Sequence, residues 1–194
     1  MKKYIFFLLI SILILGCKTN EYQSPNVSLE NPETSFNENI LNVPYLKYSD
    51  FEVFKDYEKI ADTLIYAENI HPQFSLLQIK KTNDNIILFS QFSIDENEPL
   101  IENLDGYERK ILDTLHIPNL KPNEIIISGC CELENKYGEE MIAVIEKTDG
   151  LVAEKINRAW KADIKTGQIE EVYDFEKLKC INKNYKIEIS ETDF

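Results

Sequence analysis

The sequence is poor in the residues on which many enzymes depend. Among 194 residues there are two histidines, His71 and His116, and six glycines. Neither histidine stands in a Ser-His-Asp order, and the chain has no Gly-x-Ser-x-Gly elbow and no glycine-rich phosphate loop. We therefore expect no catalytic residue, and each imidazole is predicted to be a surface or packing group. The composition favours a binding protein over an enzyme.

Positive charge is also scarce. The chain carries 21 Lys and Arg against 34 Asp and Glu, which gives a formal net charge of −13. A field of this sign repels nucleic acid and anionic lipid head groups. We therefore expect no nucleic-acid partner, whereas a basic envelope or secreted protein is a partner that the charge would attract. The alternative is an acidic surface that serves solubility alone.

Long apolar runs are absent except at the start of the chain. Residues 5–15 are apolar apart from Ser11, follow Lys2 and Lys3, and end before Gly16. This run is shorter than the about twenty residues that a membrane-spanning helix needs. A basic start, a short apolar stretch and a small residue before the cleavage point are typical of a secretory signal peptide.

The end of this segment, from Leu13 to Cys17, resembles the lipobox of bacterial lipoproteins. The resemblance implies that residues 1–16 are a cleaved lipoprotein signal peptide and that Cys17 is acylated and inserted in a lipid bilayer. Each methylene buried in a bilayer contributes about 0.8 kcal/mol, so several acyl chains hold a protein durably. Lys18 stands where some inner-membrane lipoproteins carry aspartate, which favours the outer membrane of the cell envelope. The side of the membrane is left open.

A tether and one domain are predicted after the signal peptide. Residues 17–44 are predicted to be the lipidated cysteine and a flexible tether, because Asn, Ser, Glu, Thr and Pro dominate residues 18–44. Such a coil would reach about 30 Å. The chain is 43% hydrophobic, with ten Phe and ten Tyr, which suffices for one core. We expect a single globular domain over residues 45–194.

The first predicted element of this domain is a long helix from Asp50 to Asn69. Ser49 and Glu52 have the spacing of a capping box. Apolar residues then recur at three- and four-residue steps, as on one face of a helix. They are Phe51, Phe54, Tyr57, Ile60, Ala61, Leu64 and Ile65.

Beyond Pro72 the apolar residues alternate, which is typical of strands. The predicted strands are residues 76–82, 86–94, 109–117, 124–133, 140–147, 156–164, 168–173 and 185–189. Residues 83–85 and 165–167 have the composition of turns, so hairpins are expected there. Residues 124–133 and 140–147 are expected to form a further hairpin. The predicted fold class is α+β, with one long N-terminal helix packed on an antiparallel β-sheet of about six to seven strands. In an alternative, residues 148–157 form a short helix.

Three cysteines remain once Cys17 is acylated, namely Cys130, Cys131 and Cys180. An oxidising compartment predicts a disulfide among them. Alternation along a strand places Cys131 on the same face as Ile127 and Cys130 on the opposite face. We therefore expect Cys131 to pair with Cys180, with Cys130 to Cys180 as the alternative and a strained vicinal bond as the third arrangement. A loop of about fifty residues closed in this way stabilises the fold by about 4 kcal/mol.

The C-terminal half also resembles small proteins of Bacteroidota for which no activity is established. The likeness is carried by Ile111–Leu115, Gly129–Cys131, Met141–Ile145, Arg158–Ala162 and Cys180–Asn182. In those proteins one cysteine follows Gly-x and another precedes an asparagine, which corresponds to Cys131 and Cys180 here. Cys130 departs from that pattern. The resemblance implies a shared fold and lends no activity.

Two metal sites can be composed from the residue types, and both are disfavoured. Cys130, Cys131, Cys180 and His116 offer zinc ligands, but adjacent cysteines on a strand point to opposite faces. An acidic run offers oxygen ligands for calcium without the spacing or the glycine of an EF-hand loop. That run comprises Asp95, Glu96, Asn97, Glu98, Glu102 and Asp105. We expect neither a metal nor a cofactor.

Three hypotheses for function remain. The first is a membrane-anchored envelope lipoprotein whose domain binds another protein without catalysis, as an inhibitor or immunity protein does. The second is an envelope glycan-binding or glycan-processing domain, in which Trp160 with Tyr173 or Tyr185 forms an aromatic platform, although a tryptophan in the core is favoured at that position. The third is a structural component of the envelope.

Overall fold

The computed structural model describes residues 38–67, 71–94, 106–133, 136–153 and 155–182. The predicted signal peptide, Cys17 and most of the predicted tether lie outside these residues. Within them the chain forms antiparallel strands and three short 3-10 turns, Glu38–Ile40, Tyr48–Asp50 and Glu52–Phe54. In this part of the chain, no helix combines the length and the apolar character needed to cross a bilayer.

Thirteen described strands, numbered in chain order, form three sheets. Sheet A contains β1 (Pro44–Tyr45), β2 (Glu58–Ile65), β3 (Phe74–Lys81), β4 (Asp84–Phe92) and β5 (Arg109–Pro118), in the order β1-β5-β4-β3-β2. Sheet B contains β6 (Glu124–Ser128), β9 (Met141–Glu146), β11 (Ile156–Asp163) and β12 (Gln168–Glu171), in the order β12-β11-β9-β6. Sheet C contains β7 (Cys131–Leu133), β8 (Lys136–Gly138), β10 (Val152–Ala153) and β13 (Leu178–Ile181), in the order β10-β13-β7-β8.

The sheets stack in layers with sheet B between the other two. Successive side chains of a strand point to opposite faces, and β9 shows this directly. Its Ile142 and Val144 pack with sheet A, whereas Met141, Ala143 and Ile145 pack with sheet C. The core between sheets A and B contains Ile65, Phe74, Leu76, Ile87, Phe89, Leu115, Ile117, Ile142, Val144, Trp160 and Ala162.

The other face of sheet A is covered by the chain that precedes β2. Ile40, Tyr45 and Phe54 pack there on the sheet residues Leu77, Ile79, Ile86, Leu88 and Ile111. The aromatic rings of this segment contact one another, since the Phe54 ring lies 6.1 Å from Phe51 and 5.8 Å from Tyr57 between centroids. Sheet A is therefore buried on both faces.

The predicted long helix from Asp50 to Asn69 is wrong, and with it the α+β class. In its place the chain makes two 3-10 turns and then β2, which pairs with β3 from Glu58↔Lys80 to Ile65↔Phe74. A register shift between Lys59 and Ala61 breaks the strict alternation of this strand, so its apolar residues keep a spacing that imitates a helix. Long-range pairing with β3 outweighs the local pattern.

Most strands predicted from alternation are present with shifted ends. Residues 76–82 and 86–94 correspond to β3 and β4, and residues 109–117 to β5. The predicted hairpin of residues 124–133 with 140–147 is partly wrong, because only β6 pairs with β9. Gly129, with φ of +68°, ends β6 and redirects the next residues into sheet C. The alternative helix over residues 148–157 is not formed in the described part of that segment, which contains β10. The strand predicted for 185–189 lies outside the described residues.

Candidate functional site

The first candidate site lies between two terminal strands. β2 ends sheet A and β6 ends sheet B, and the two strands meet through side chains at one point. The Thr63 hydroxyl donates to the Ser128 carbonyl oxygen at 3.2 Å and shares a 2.9 Å hydrogen bond with the Ser128 hydroxyl. Away from this contact the two strands enclose a cavity of about 370 Å³, which we call the β2–β6 opening.

Half of the residues that line the β2–β6 opening are apolar and half are polar or charged. They comprise Ile60, Ala61, Gln78, Lys80, Asn85, Leu120, Glu124, Ile125, Ile126, Ile127, Ser128 and Lys147. Ile60 is 50% exposed, although it is a large aliphatic residue. Two lysines, Lys80 and Lys147, add positive charge to the lining, and Lys147 Nζ donates to the Pro122 carbonyl at 2.7 Å. The lining thus combines aliphatic side chains with two lysines.

Glu124 is the one acidic residue of this lining, and it is already held within the fold. Its Oε2 accepts a hydrogen bond from the Lys121 amide at 3.0 Å, and its Oε1 accepts one from Asn157 Nδ2 at 2.8 Å. The Lys121 amide hydrogen bond is the main reason that the pKa of Glu124 is lowered, and Asn157 contributes in the same direction. Glu124 therefore acts as an anchor for the start of β6.

The second candidate site is a cavity of about 230 Å³ on the face of sheet A that the N-terminal segment covers. We call it the Arg109 cavity. Its lining comprises Tyr45, Leu46, Lys47, Tyr48, Ser49, Lys59, Asp62, Leu77 and Arg109. Arg109 is 3% exposed, and its guanidinium carbon lies 4.4 Å from the centre of the Phe92 ring. A charge buried to this extent needs partners.

Those partners form a network across three strands of sheet A. Arg109 Nη1 on β5 lies 3.0 Å and 3.3 Å from the two carboxylate oxygens of Asp62 on β2, and 3.2 Å from Ser75 Oγ on β3. Lys59 Nζ also approaches Asp62, at 3.1 Å. One carboxylate is thus shared by two cations. At the same face, the Tyr45 hydroxyl shares a 2.8 Å hydrogen bond with Ser90 Oγ, and burial raises the pKa of Tyr45.

His116 belongs to a third polar cluster, at the opposite ends of the same strands. Its Nε2 contacts Asp84 Oδ1, and the Tyr57 hydroxyl donates to Asp84 Oδ2. Burial, followed by the hydrogen bond to Asp84, raises the pKa of Tyr57. A phenol that resists ionisation is a poor nucleophile. The cluster ties the start of β2 to β4 and β5, which agrees with the packing role expected for His116.

The cysteines occupy the start of sheet C. Cys131 and Cys180 form a disulfide and stand opposite each other in the β7–β13 pair; this is the first of the pairings considered from the sequence. Cys130 carries a free thiol that is partly buried, and its Sγ lies 3.8 Å from the Tyr137 hydroxyl. Because the disulfide occupies two of the proposed zinc ligands, the set with His116 cannot form a thiolate site.

The aromatic platform proposed from the sequence is not assembled by the described residues. Trp160 is 2% exposed and lies in the core between sheets A and B, whereas Tyr173 is 83% exposed. Tyr185 lies outside the described residues, as do Asp95, Glu96, Asn97, Glu98, Glu102 and Asp105 of the acidic run. His71 is 7% exposed, and its Nδ1 has no hydrogen-bond partner.

The residues of the Arg109 cavity were not singled out from the sequence. Lys59 and Asp62 fall within the wrongly predicted helix, and Arg109 is the first residue of a predicted strand. The available signal was a single arginine, Arg109, at the start of a strand whose later residues are mostly apolar. Comparison of the chain with protein-family models, with curated proteins and with solved structures finds no match.

Proposed function

We propose that this chain is a lipid-anchored lipoprotein of the cell envelope whose β-sandwich binds a partner protein through the β2–β6 opening. The lipobox-like sequence that ends at Cys17 supports the anchor. The acylated Cys17 side chain would hold the domain at the outer membrane. The observation that carries the binding role is the pair of terminal strands on either side of one cavity whose lining includes six apolar residues. Terminal strands present backbone groups that a second chain can pair with.

The backbone of β6 faces the opening at alternate residues. The Ser128 carbonyl points toward β2, because it accepts the hydrogen bond of Thr63. The next amide, that of Gly129, donates in the other direction, to the Met141 carbonyl of β9. Backbone groups of a strand alternate in direction, so the amide and carbonyl of Ile126 face the same side as the Ser128 carbonyl. An extended peptide can pair there.

β2 is less suited to receive a strand than β6. Its register shift between Lys59 and Ala61 disturbs the ladder within the lining of the opening, and irregularities of this kind protect sheet edges from pairing. β6 pairs with β9 in unbroken register over its five residues. We therefore assign the pairing to β6 and the side-chain contacts to the exposed Ile60 of β2.

The partner that fits is an extended segment of a basic protein. A net charge of −13 attracts a basic surface over long distances. Lys80 and Lys147 in the lining would repel lysine or arginine inside the opening, so the inserted segment itself carries apolar or acidic side chains. This agrees with an inhibitor or immunity role, in which one domain occupies a segment of its target.

Ile126→Pro tests the binding role, because proline removes the amide hydrogen that the partner would use. Proline is tolerated on an edge strand where that hydrogen faces away from the sheet. The full chain, purified in detergent, is exposed to envelope and secreted proteins of its source at low and at high salt, and retained proteins are identified by mass spectrometry. We expect one basic protein to bind at low salt and to be lost with Ile126→Pro.

Ile126→Val is the matched control, since it keeps the amide hydrogen and the β-branched shape. It should retain the partner. Equal retention by the proline variant, in a chain whose thermal unfolding is near normal, would rule out pairing at β6.

The anchor is tested separately: Cys17→Ser should move the protein from the membrane to the soluble fraction, whereas Cys130→Ser should leave it in the membrane. A membrane-bound Cys17→Ser protein would contradict lipidation.

A further inference from the structure

The Arg109 cavity lies on the opposite face of β2 from the β2–β6 opening. Lys59 and Asp62 line the Arg109 cavity, whereas Ile60 and Ala61, which stand at the register shift between them, line the opening. The two sites therefore use different side chains of one strand. An inference about the Arg109 cavity is independent of protein binding at β6 and goes beyond it.

The lining of this cavity has an excess of positive charge. Three of its side chains are cationic, Lys47, Lys59 and Arg109, and one is anionic, Asp62. The surplus of two positive charges is unusual in a chain whose net charge is −13. Asp50, nearby in sequence, accepts a hydrogen bond from the Lys47 amide at 3.0 Å and is not part of the lining. The cavity is thus a local basic site in an acidic protein.

Arg109 is held in a fixed orientation within this site. Its guanidinium is fixed by Asp62, by Ser75 Oγ and by the ring of Phe92. Ser75 is fully buried and Asp62 has 14% side-chain exposure, so these contacts are shielded from solvent. A guanidinium that is fixed and poorly hydrated suits the planar geometry of a carboxylate.

Apart from Ser49, the remaining lining is aromatic or aliphatic. Tyr45, Tyr48, Leu46 and Leu77 border the cavity beside the charged groups. Its volume of about 230 Å³ lies below the range of about 300–1,000 Å³ that is usual for drug-sized ligands. A site of this kind takes a small molecule with one anionic end and one apolar end.

We propose that the Arg109 cavity binds a small organic carboxylate, whose anionic group is held by Arg109 and Lys59. Its apolar part contacts Tyr45, Tyr48 and Leu77. Asp62 then competes with the ligand, because its carboxylate already forms ion pairs with Lys59 and Arg109. This relation gives the proposal a signature: removing Lys59 and removing Asp62 should change the affinity in opposite directions.

The test uses benzoate and its neutral isostere benzamide, titrated calorimetrically into the full chain in a zwitterionic detergent. The two probes have nearly the same shape and differ in charge. We expect benzoate to bind at least about tenfold more tightly than benzamide, since hydrogen bonds to ionised groups are about twice as strong as neutral ones. Equal affinity of the two probes, or no binding of benzoate, would overturn the proposal.

Three variants separate a ligand site from a structural ion pair. Lys59→Gln should weaken benzoate about tenfold, and Asp62→Asn should strengthen it about tenfold. Lys165→Gln, at an exposed lysine in the turn before β12, makes the same charge change elsewhere and should leave the affinity unchanged. If Lys59→Gln binds benzoate as tightly as the unaltered chain does, or if Lys165→Gln loses as much affinity as Lys59→Gln, the cavity is not the binding site.

Inorganic phosphate provides the competing anion. It shares the charge but lacks the apolar part, so it should displace benzoate only at about tenfold higher concentration or above. Displacement of benzoate at a lower phosphate concentration would assign the site to phosphate groups and would overturn the proposal of a carboxylate ligand. Asp62→Asn carries a risk to folding that Lys59→Gln does not, because Lys59 keeps 41% side-chain exposure; the lysine variant therefore decides the outcome if the aspartate variant unfolds.

Discussion

Sheets A and C reach stability by different means. The four long strands of sheet A, β2 to β5, contain 8, 8, 9 and 10 residues. The strands of sheet C, β7, β8, β10 and β13, contain 3, 3, 2 and 4 residues. Sheet A is packed on both faces, whereas sheet C packs on sheet B and leaves Val152 and Ile181 43% and 45% exposed on its outer face.

The difference shows where the fold needs a covalent bond. A long ladder with two buried faces is stabilised by apolar burial, at about 25 cal/mol per Å² of apolar surface. Strands of two to four residues bury too little to order themselves. The disulfide between Cys131 and Cys180 joins the two central strands of sheet C. It thus provides stability that these short strands do not obtain from apolar burial.

The largest expected effect comes from removing that bond. In a Cys131→Ala, Cys180→Ala variant the free energy of unfolding should fall by about 4 kcal/mol, because the unfolded chain gains the freedom of a loop closed over 49 residues. Urea denaturation measures the total loss. Amide hydrogen exchange shows which strands lose stability, and we expect the amides of β7 and β13 to exchange before those of β3 and β4.

Cys130→Ala is the control for this prediction, since it removes a neighbouring thiol and leaves the disulfide. It should change the free energy of unfolding by less than about 1 kcal/mol. Uniform acceleration of exchange in sheets A and C would show that the two sheets unfold together. The proposed division between a self-supporting sheet and a covalently supported one would then be wrong.

The second effect tests the joint between sheets B and C. Gly129 has φ of +68°, and a Cβ atom there would lie 2.1 Å from Cγ2 of Thr63. Gly129→Ala should therefore lower the free energy of unfolding by about 3 kcal/mol, through the left-handed conformation and the steric overlap together. Chemical denaturation with the full chain provides the measurement.

Thr63→Ser isolates the steric part of that loss. It removes Cγ2 and keeps the hydroxyl that binds Ser128, so the double variant should lose about 1 kcal/mol less than the sum of the single variants. Gly106→Ala is the matched control, because no atom lies within 4 Å of the position of its added Cβ. Strict additivity would mean that the chain shifts away from Thr63 and that the backbone conformation alone accounts for the loss.

The same contrast explains what the sequence could predict. Alternation located β3, β4 and β5, because long strands repeat their pattern often enough to be recognised. It could not locate β7, β8 or β10, which are two or three residues long, nor separate β7 from β6 across Gly129. In β2 the register shift at Ile60 produced helical spacing, and the helix was predicted for that reason.

The candidate sites depend on pairing that no local pattern contains. Asp62 and Arg109 lie 47 residues apart in sequence, on strands that β3 and β4 separate in sheet A, and they meet because the Arg109 side chain extends across the face of the sheet. Thr63 and Ser128, 65 residues apart, meet because two sheets end at the same side of the core. The cysteine pairing was accessible from the sequence, since strand alternation and a predicted oxidising compartment limit the choices to a few.

The smallest expected effect concerns pH and the start of β6, where sheet B meets the β2–β6 opening. The pKa of Glu124 is lowered in the folded protein, chiefly by the Lys121 amide hydrogen bond. A lowered folded pKa means that the carboxylate stabilises the fold above the pKa of the unfolded state, and that this contribution is lost as the pH falls through the folded pKa. Glu124→Gln should therefore lose less stability than the unaltered chain between about pH 7 and about pH 4.

The stability losses of the Glu124→Gln variant and of the unaltered chain should differ by less than about 1 kcal/mol, because glutamine still offers an oxygen to the Lys121 amide. Glu176→Gln, at an exposed glutamate between β12 and β13, is the matched control and should follow the unaltered chain. Urea denaturation at the two pH values measures the effect, and hydrogen exchange should place it in β6 and not in sheet C. A pH response confined to sheet C would show that its short strands, and not the β2–β6 opening, are the acid-sensitive part of the fold.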